Sequence, residues 1–192
     1  MKISGLILAA GLSGRMNSFK PILKIDNKTL VQLITEKLLG VCNEVIIVTG
    51  YNNNLVENSV EKSGHVKLVF NENYKKGMFT SLKKGLSEVS DADWVLYHFV
   101  DQPALSEKFY HEFVEQISDN FNWIQPAYNN VKGHPVLLSR TILEIIMNEN
   151  DDCSLKVIGM NSKVKKKIWN CNYSQILNDV DTEVDFEKLI SR

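Results

Sequence analysis

The 192-residue chain is poor in cysteine, and the three it has are scattered. Cys42, Cys153 and Cys171 are odd in number, far apart and part of no Cys-x-x-Cys or Cys/His cluster, so neither a disulfide framework nor a zinc site is expected. Free thiols fit a reducing, cytoplasmic compartment. An excess of one charge is also missing: 22 Lys and Arg face 23 Asp and Glu, for a net charge of -1. That balance gives no general affinity for nucleic acid or a membrane surface, so any anion must be held by local geometry. No stretch approaches the roughly 20 apolar residues of a bilayer span. The apolar start at 3–10 has only Lys2 as a basic flank and no Ala-x-Ala pattern, and it reads as a buried strand instead of a leader. With no linker, repeat or low-complexity tract, one domain over 1–192 is expected.

What is present is alternation. Short apolar runs rich in β-branched residues at 3–8, 44–48, 66–70 and 94–99 read as buried strands. Amphipathic stretches at 30–39, 55–62 and 79–89 lie between them; Leu30, Leu33, Ile34 and Leu38 keep a helical spacing. Strand and helix in turn predict an α/β protein, its mostly parallel sheet covered by helices on both faces. The second half is less regular. A helix over 107–117 capped by Ser106, short strands at 123–126 and 135–138, a helix over 141–147, a strand at 165–169 and a closing helix over 183–190 capped by Thr182 are expected. The lysines at 163–167 read as a solvated edge strand.

Five constellations carry chemistry. The turn after the first strand holds Gly11 and Gly14, where backbone N–H groups can form an anion nest, followed by the cations Arg15 and Lys20. It is neither Gly-x-Gly-x-x-Gly nor a P-loop, and a tight turn with two solvated cations explains it equally well. Asp101-Gln102-Pro103 follows the fourth strand, at the carboxyl rim of the sheet where ligands gather. A carboxylate there suits magnesium bridging phosphates, and a turn aspartate is the plainer reading. Asp179 and Asp181 alternate, so both point one way if the chain is extended, although this segment also precedes the last helix. Gly77 to Ser81 leads into a helix whose N–H groups and hydroxyl can meet a base or phosphate. Gly133-His134-Pro135 forms a turn with one histidine.

Taken in order, these segments resemble the signature of the molybdenum cofactor nucleotidyltransferase family over residues 3–189. Ala9-Ala10-Gly11 is more similar to the cytidylyltransferase branch than to the Ala-Gly-Gly of the guanylyltransferase branch. The resemblance implies a Rossmann-like three-layer sandwich of the nucleotide-diphospho-sugar transferase type. It implies magnesium-dependent transfer of a nucleoside monophosphate, CMP from CTP being favoured, onto a phosphate-bearing acceptor such as molybdopterin, with release of pyrophosphate. In that scheme Leu8, Ala9, Ala10, Gly11, Ser13 and Gly14 contact the nucleotide, and Asn71, Gly77 and Ser81 line its base and ribose. Arg15 and the turn amides hold the β- and γ-phosphates, Lys20 meets charge at the α-phosphate, and Asp101 holds the metal with Asp179 or Asp181. Gly133, His134 and Pro135 face the acceptor, and a molybdoenzyme is a further partner.

The sequence departs from the family pattern at several points. Asn17 and Asn27 stand where glycines are usual, Val100 replaces the glycine before the metal aspartate, and 151–156 only loosely resembles a loop near the acceptor. Two alternatives therefore stay open: a sugar- or polyol-phosphate nucleotidyltransferase of the same fold, and a non-catalytic nucleotide-binding factor for molybdoenzyme maturation.

Overall fold

The computed structural model describes residues 1–14, 16, 18–61 and 63–191. The elements run β1 (Ile3–Ala9), β2 (Lys24–Ile25), β3 (Lys28–Thr29), α1 (Leu30–Leu39), β4 (Glu44–Thr49), α2 (Asn53–Ser59), β5 (Val66–Phe70), α3 (Met78–Leu86) and β6 (Trp94–Phe99). They continue as α4 (Glu107–Val114), β7 (Trp123–Tyr128), β8 (Val131–Lys132), β9 (Val136–Ser139), α5 (Arg140–Asn148), α6 (Leu155–Ile158), β10 (Lys166–Asn170) and α7 (Glu183–Ile190). One sheet has the order β10-β7-β9-β6-β1-β4-β5, with β8 paired to β7. Its β5, β4, β1 and β6 neighbours are parallel, whereas β9 joins β6 and β7 antiparallel. The stretch after β6 is thus an extension of the sheet. The lysine-rich β10 lies at its edge, as its charge requires.

β1 is buried on both faces, and its alternation divides the core. Ile3, Ile7 and Ala9 pack with Val31, Ile34 and Leu38 of α1 and Phe109 and Phe113 of α4. Leu6, Leu8 and Ala10 pack with Phe79, Leu82 and Leu86 of α3 and Ile142 and Ile146 of α5. The result is the expected three-layer sandwich. Gly85 allows α3 to lie directly on the sheet, since a Cβ there would sit 2.4 Å from Leu6 Cδ1 and 2.7 Å from Val48 Cγ2. This close packing carries the start of α3 to the rim beside the end of β1.

Local chemistry sets the boundaries. Thr29 and Gln32 close a capping box on α1, Ser106 accepts from Phe109 N on α4, and Thr182 and Asp185 form a second capping box on α7. The second helix differs from the expected 55–62: it begins at Asn53, with Asn52 left-handed at φ 51°, and Asn53 Nδ2 donates to Glu57 Oε1 at 2.9 Å one turn on. It ends where Val60 turns extended; Lys62 lies outside the described residues. Helices α3 and α4 stop three residues short of the expected ends, at Leu86 and Val114. The hairpin β2–β3 and the one-turn α6 carry too few residues to show periodicity.

Candidate active site

The parallel strands β1 and β6 end side by side, and the chain beyond them builds a cleft of about 230 Å³. Leu8, Ala9, Ala10 and Gly11 form one wall, Phe99, Val100 and Asp101 another, and Tyr74 and Met78 a third. Ligands of open α/β sheets bind at this end. A Cβ added at Gly11 or Gly14 would meet nothing within 4 Å, so no internal crowding demands glycine there. At Gly11 the bare backbone borders the cleft. Ser13, in this turn, is left-handed at φ 53°.

Ser13 also anchors the next segment. Its Oγ accepts from Lys20 N at 3.1 Å, and Lys20 opens a short 3-10 turn, Lys20–Ile22, stiffened by Pro21. The buried Lys20 ammonium then reaches Asp181 Oδ1 at 2.6 Å and Asp101 Oδ2 at 3.4 Å. Val180 N donates to Asp101 O at 2.8 Å, tying the Asp179–Asp181 segment to the end of β6. Burial raises the Asp101 carboxyl above its usual range, while the Lys20 ammonium pulls it back. Two carboxylates from distant segments therefore converge on one cation at the mouth of the cleft.

The other expected residues are placed differently. Asp179 Oδ1 accepts from Gln102 Nε2 at 2.6 Å, and its negative field adds to the rise of the Asp101 carboxyl. Among the described residues no three His, Cys, Asp or Glu side chains are gathered as a metal cage. Asn71 and Ser81 are buried behind the cleft wall, where Asn71 Nδ2 donates to Ser81 Oγ at 2.9 Å and to Thr80 Oγ1 at 3.0 Å. Gly77, at φ 126°, precedes α3 and borders a neighbouring cavity instead of this cleft. Gly133 lets Ile176 approach, since a Cβ would lie 2.4 Å from Ile176 O. His134 sits before a cis bond to Pro135, its ring 4.5 Å from that of Phe99 and its Nδ1 buried without a partner. Burial lowers its basicity, so the ring is neutral near pH 7. Arg15 and Asn17 lie outside the described residues.

Residues 5–160 match the family model of the MobA-like NTP transferase domain. The chain belongs to this family. It is a nucleotidyltransferase. Over 185 residues it is 28% identical to molybdenum cofactor cytidylyltransferase of Escherichia coli K12, covering 96% of this chain and 93% of that one. A protein named nicotine blue oxidoreductase from Paenarthrobacter nicotinovorans is 33% identical over 204 residues, covering 98% and 96%. Among solved structures, Rv0371c of Mycobacterium tuberculosis H37Rv superposes at a TM-score of 0.86 with 20% identity, covering 100% and 98%. Its manganese complex gives 0.81 with 19% identity, covering 100% and 99%.

In the transferase, two residues not singled out from sequence support the rim. Gln102, 2% exposed, links Asp179 to the main chain by donating also to Ile176 O at 3.3 Å. Its place inside Asp101-Gln102-Pro103 was the available signal. Lys37 of α1 donates to Pro103 O at 2.7 Å and Leu105 O at 2.8 Å. Burial lowers its pKa, and it lies in a helix with no motif to mark it.

Proposed function

We propose that this nucleotidyltransferase transfers CMP from CTP to the phosphate of a molybdopterin-type acceptor, with magnesium held by Asp101 and Asp181. The observation that carries the reading is the Lys20 ammonium seated between those two carboxylates at the mouth of the β1–β6 cleft. Two carboxylates against one ammonium leave the rim short of positive charge for a triphosphate. Both are hard oxygen donors already gathered on one cation, and magnesium is commonly held by one or two carboxylates with phosphate oxygens and waters. The donor set therefore fits, Asp181 being the one of the two alternating aspartates that meets the Lys20 ammonium. When bound, the metal supplies charge neutralisation for the phosphates. Manganese in the complex of the fold relative is in keeping with this choice.

The chain's own residues do the rest. The backbone at Ala9, Ala10 and Gly11 borders the nucleotide without side-chain obstruction. Lys20 exchanges a carboxylate contact for an α-phosphate oxygen and meets the charge that develops there. Arg15 holds the β- and γ-phosphates. Asn71 and Ser81 support the wall behind the base, and His134, neutral, serves the acceptor side as a contact. The acceptor phosphate is ionised near neutral pH, so no strong general base is needed, and in-line positioning supplies much of the rate. The choice of CTP and of acceptor follows the cytidylyltransferase relative. Pyrophosphate release measured over CTP, GTP, ATP and UTP against molybdopterin, sugar-phosphate and polyol-phosphate acceptors tests it. Turnover is expected with CTP and the molybdopterin acceptor. Turnover confined to GTP, or to a polyol phosphate, overturns it.

A further inference from the structure

Gln102 Oε1 and His134 Nδ1 are buried and have no hydrogen-bond partner among the described residues. Both side chains hang on one carbonyl: Ile176 O accepts from Gln102 Nε2 at 3.3 Å and from His134 N at 3.2 Å. Gly133 lets that carbonyl in, since a Cβ would lie 2.4 Å from it. Gln102 cannot turn its amide over to find a partner. Its Nε2 already serves Ile176 O and Asp179 Oδ1, and a reversed amide would set an oxygen against two acceptors. Oε1 is thus fixed as an acceptor on a side chain 2% exposed, and an unmet buried acceptor is costly. What it lacks is a donor.

His134 can supply one. Burial keeps its ring neutral, so one ring nitrogen carries a proton and the other a lone pair. A proton on Nδ1 answers both orphaned atoms at once. We propose that Gln102 is a positioning residue: its Oε1 accepts a hydrogen bond from His134 Nδ1–H and holds the ring in that tautomer, while its amide is anchored on Asp179. A turn of the ring about its Cβ–Cγ bond closes the contact. The Asp179 carboxylate polarises the amide and strengthens Oε1 as an acceptor. Tyr97 offers the opposite arrangement. Its buried hydroxyl is also unmet, and its ring centre lies 6.3 Å from that of His134. A bond from that hydroxyl to Nδ1 would demand the Nε2–H tautomer and leave Oε1 without a donor. With Nδ1 protonated, Nε2 keeps the lone pair, so His134 accepts from an N–H or O–H group and offers no N–H to a phosphate oxygen. The bearing on turnover rests on the transfer reading above; the tautomer does not.

The test is the long-range proton–nitrogen correlation spectrum of the full chain, isotope-labelled at histidine, near neutral pH. His98 is an internal standard. Its Nδ1 meets Phe99 O, which can only accept, so it too is Nδ1–H. His134 is expected to show the same pattern, a protonated Nδ1 and a bare Nε2, its signals assigned by their loss in His134→Gln. In Gln102→Met, similar in size, His134 is expected to lose that pattern while His98 keeps it. Pyrophosphate release from CTP is expected to fall about tenfold in that variant, the effect of one lost hydrogen bond. Tyr97→Phe is expected to leave the His134 tautomer unchanged. An Nε2–H ring in the wild type overturns the proposal before any variant is made. So does an Nδ1–H ring that persists in Gln102→Met, or one that is lost in Tyr97→Phe instead. A reverted tautomer with wild-type turnover overturns the positioning role. A Gln102-dependent tautomer in a wild type that turns over no acceptor keeps the contact and removes the transfer reading.

Discussion

Lys20 stands between Asp101 and Asp181 with 10% of its side chain exposed, against 26% and 28% for its partners. Water screens such a group less than an ordinary surface pair, so removing the cation leaves two carboxylates facing each other. Lys20→Met is expected to lose about 2 kcal/mol of stability, part of which millimolar magnesium restores. Urea melts with and without magnesium check this. Equal magnesium shifts in wild type and variant would count against a shared cation position. Turnover in the variant should fall by more than nucleotide affinity does, because the charge matters most in the transition state. Asp101→Asn, nearly isosteric, is expected to keep the fold and lower turnover at least about a hundredfold. Wild-type pyrophosphate release by that variant removes the metal assignment. At this scale the sequence was readable where one residue type answers a backbone demand. Asn27, in place of a usual glycine, takes φ 68° beside Asp26 at φ 49° in the β2–β3 turn, a conformation asparagine tolerates. Asn71 and Ser81 were less readable, because the same polar atoms serve a ligand or each other, and only packing decides.

Elements carry these residues to the rim, and α1 does so through one side chain. Lys37 bonds two carbonyls just beyond Asp101, and its burial means that no water replaces the ammonium readily. Lys37→Met is expected to cost about 1–3 kcal/mol and to raise the magnesium concentration for half-maximal rate several-fold. Lys37→Arg should recover much of both. A variant that is merely less stable, with its magnesium dependence unchanged, would limit Lys37 to a structural part. The elements themselves were legible in proportion to their length and burial. β1, β4 and β6 are continuous apolar runs because both faces are covered, and α1 shows its apolar stripe because one face is. The extension formed by β7, β8 and β9 was harder. Its hairpin turns at Asn129 and Asn130, both left-handed, and β8 is two exposed residues. Its joining of β6 antiparallel depends on contacts between segments some 40 residues apart.

The molecule as a whole responds to acid through a group outside the cleft. His98, in the middle of the sheet, meets Phe99 O through Nδ1 and Tyr110 OH through Nε2. Complete burial pushes its pKa down to about 3 from 6.5, the carbonyl contact opposing the shift, and the positive fields of Lys37 and His134 adding to it. The folded state thus keeps the ring neutral where the unfolded chain protonates it. The stabilising contribution is full above about pH 6.5 and is lost as pH falls from there toward 3, by up to about 1.4 kcal/mol per pH unit. Between pH 7.5 and 4.5 the wild type should lose roughly 2–3 kcal/mol more than His98→Gln, which carries no titrating group. His134 and the carboxylates titrate in both proteins, so the difference in slope isolates the one ring. His98→Gln will itself be less stable at pH 7.5, because the amide cannot reproduce both contacts, but that offset does not depend on pH. Urea unfolding at several pH values reads the two slopes directly. Parallel lines would mean that protonated His98 is accommodated within the folded sheet, and that the acid sensitivity of the transferase arises at its rim instead.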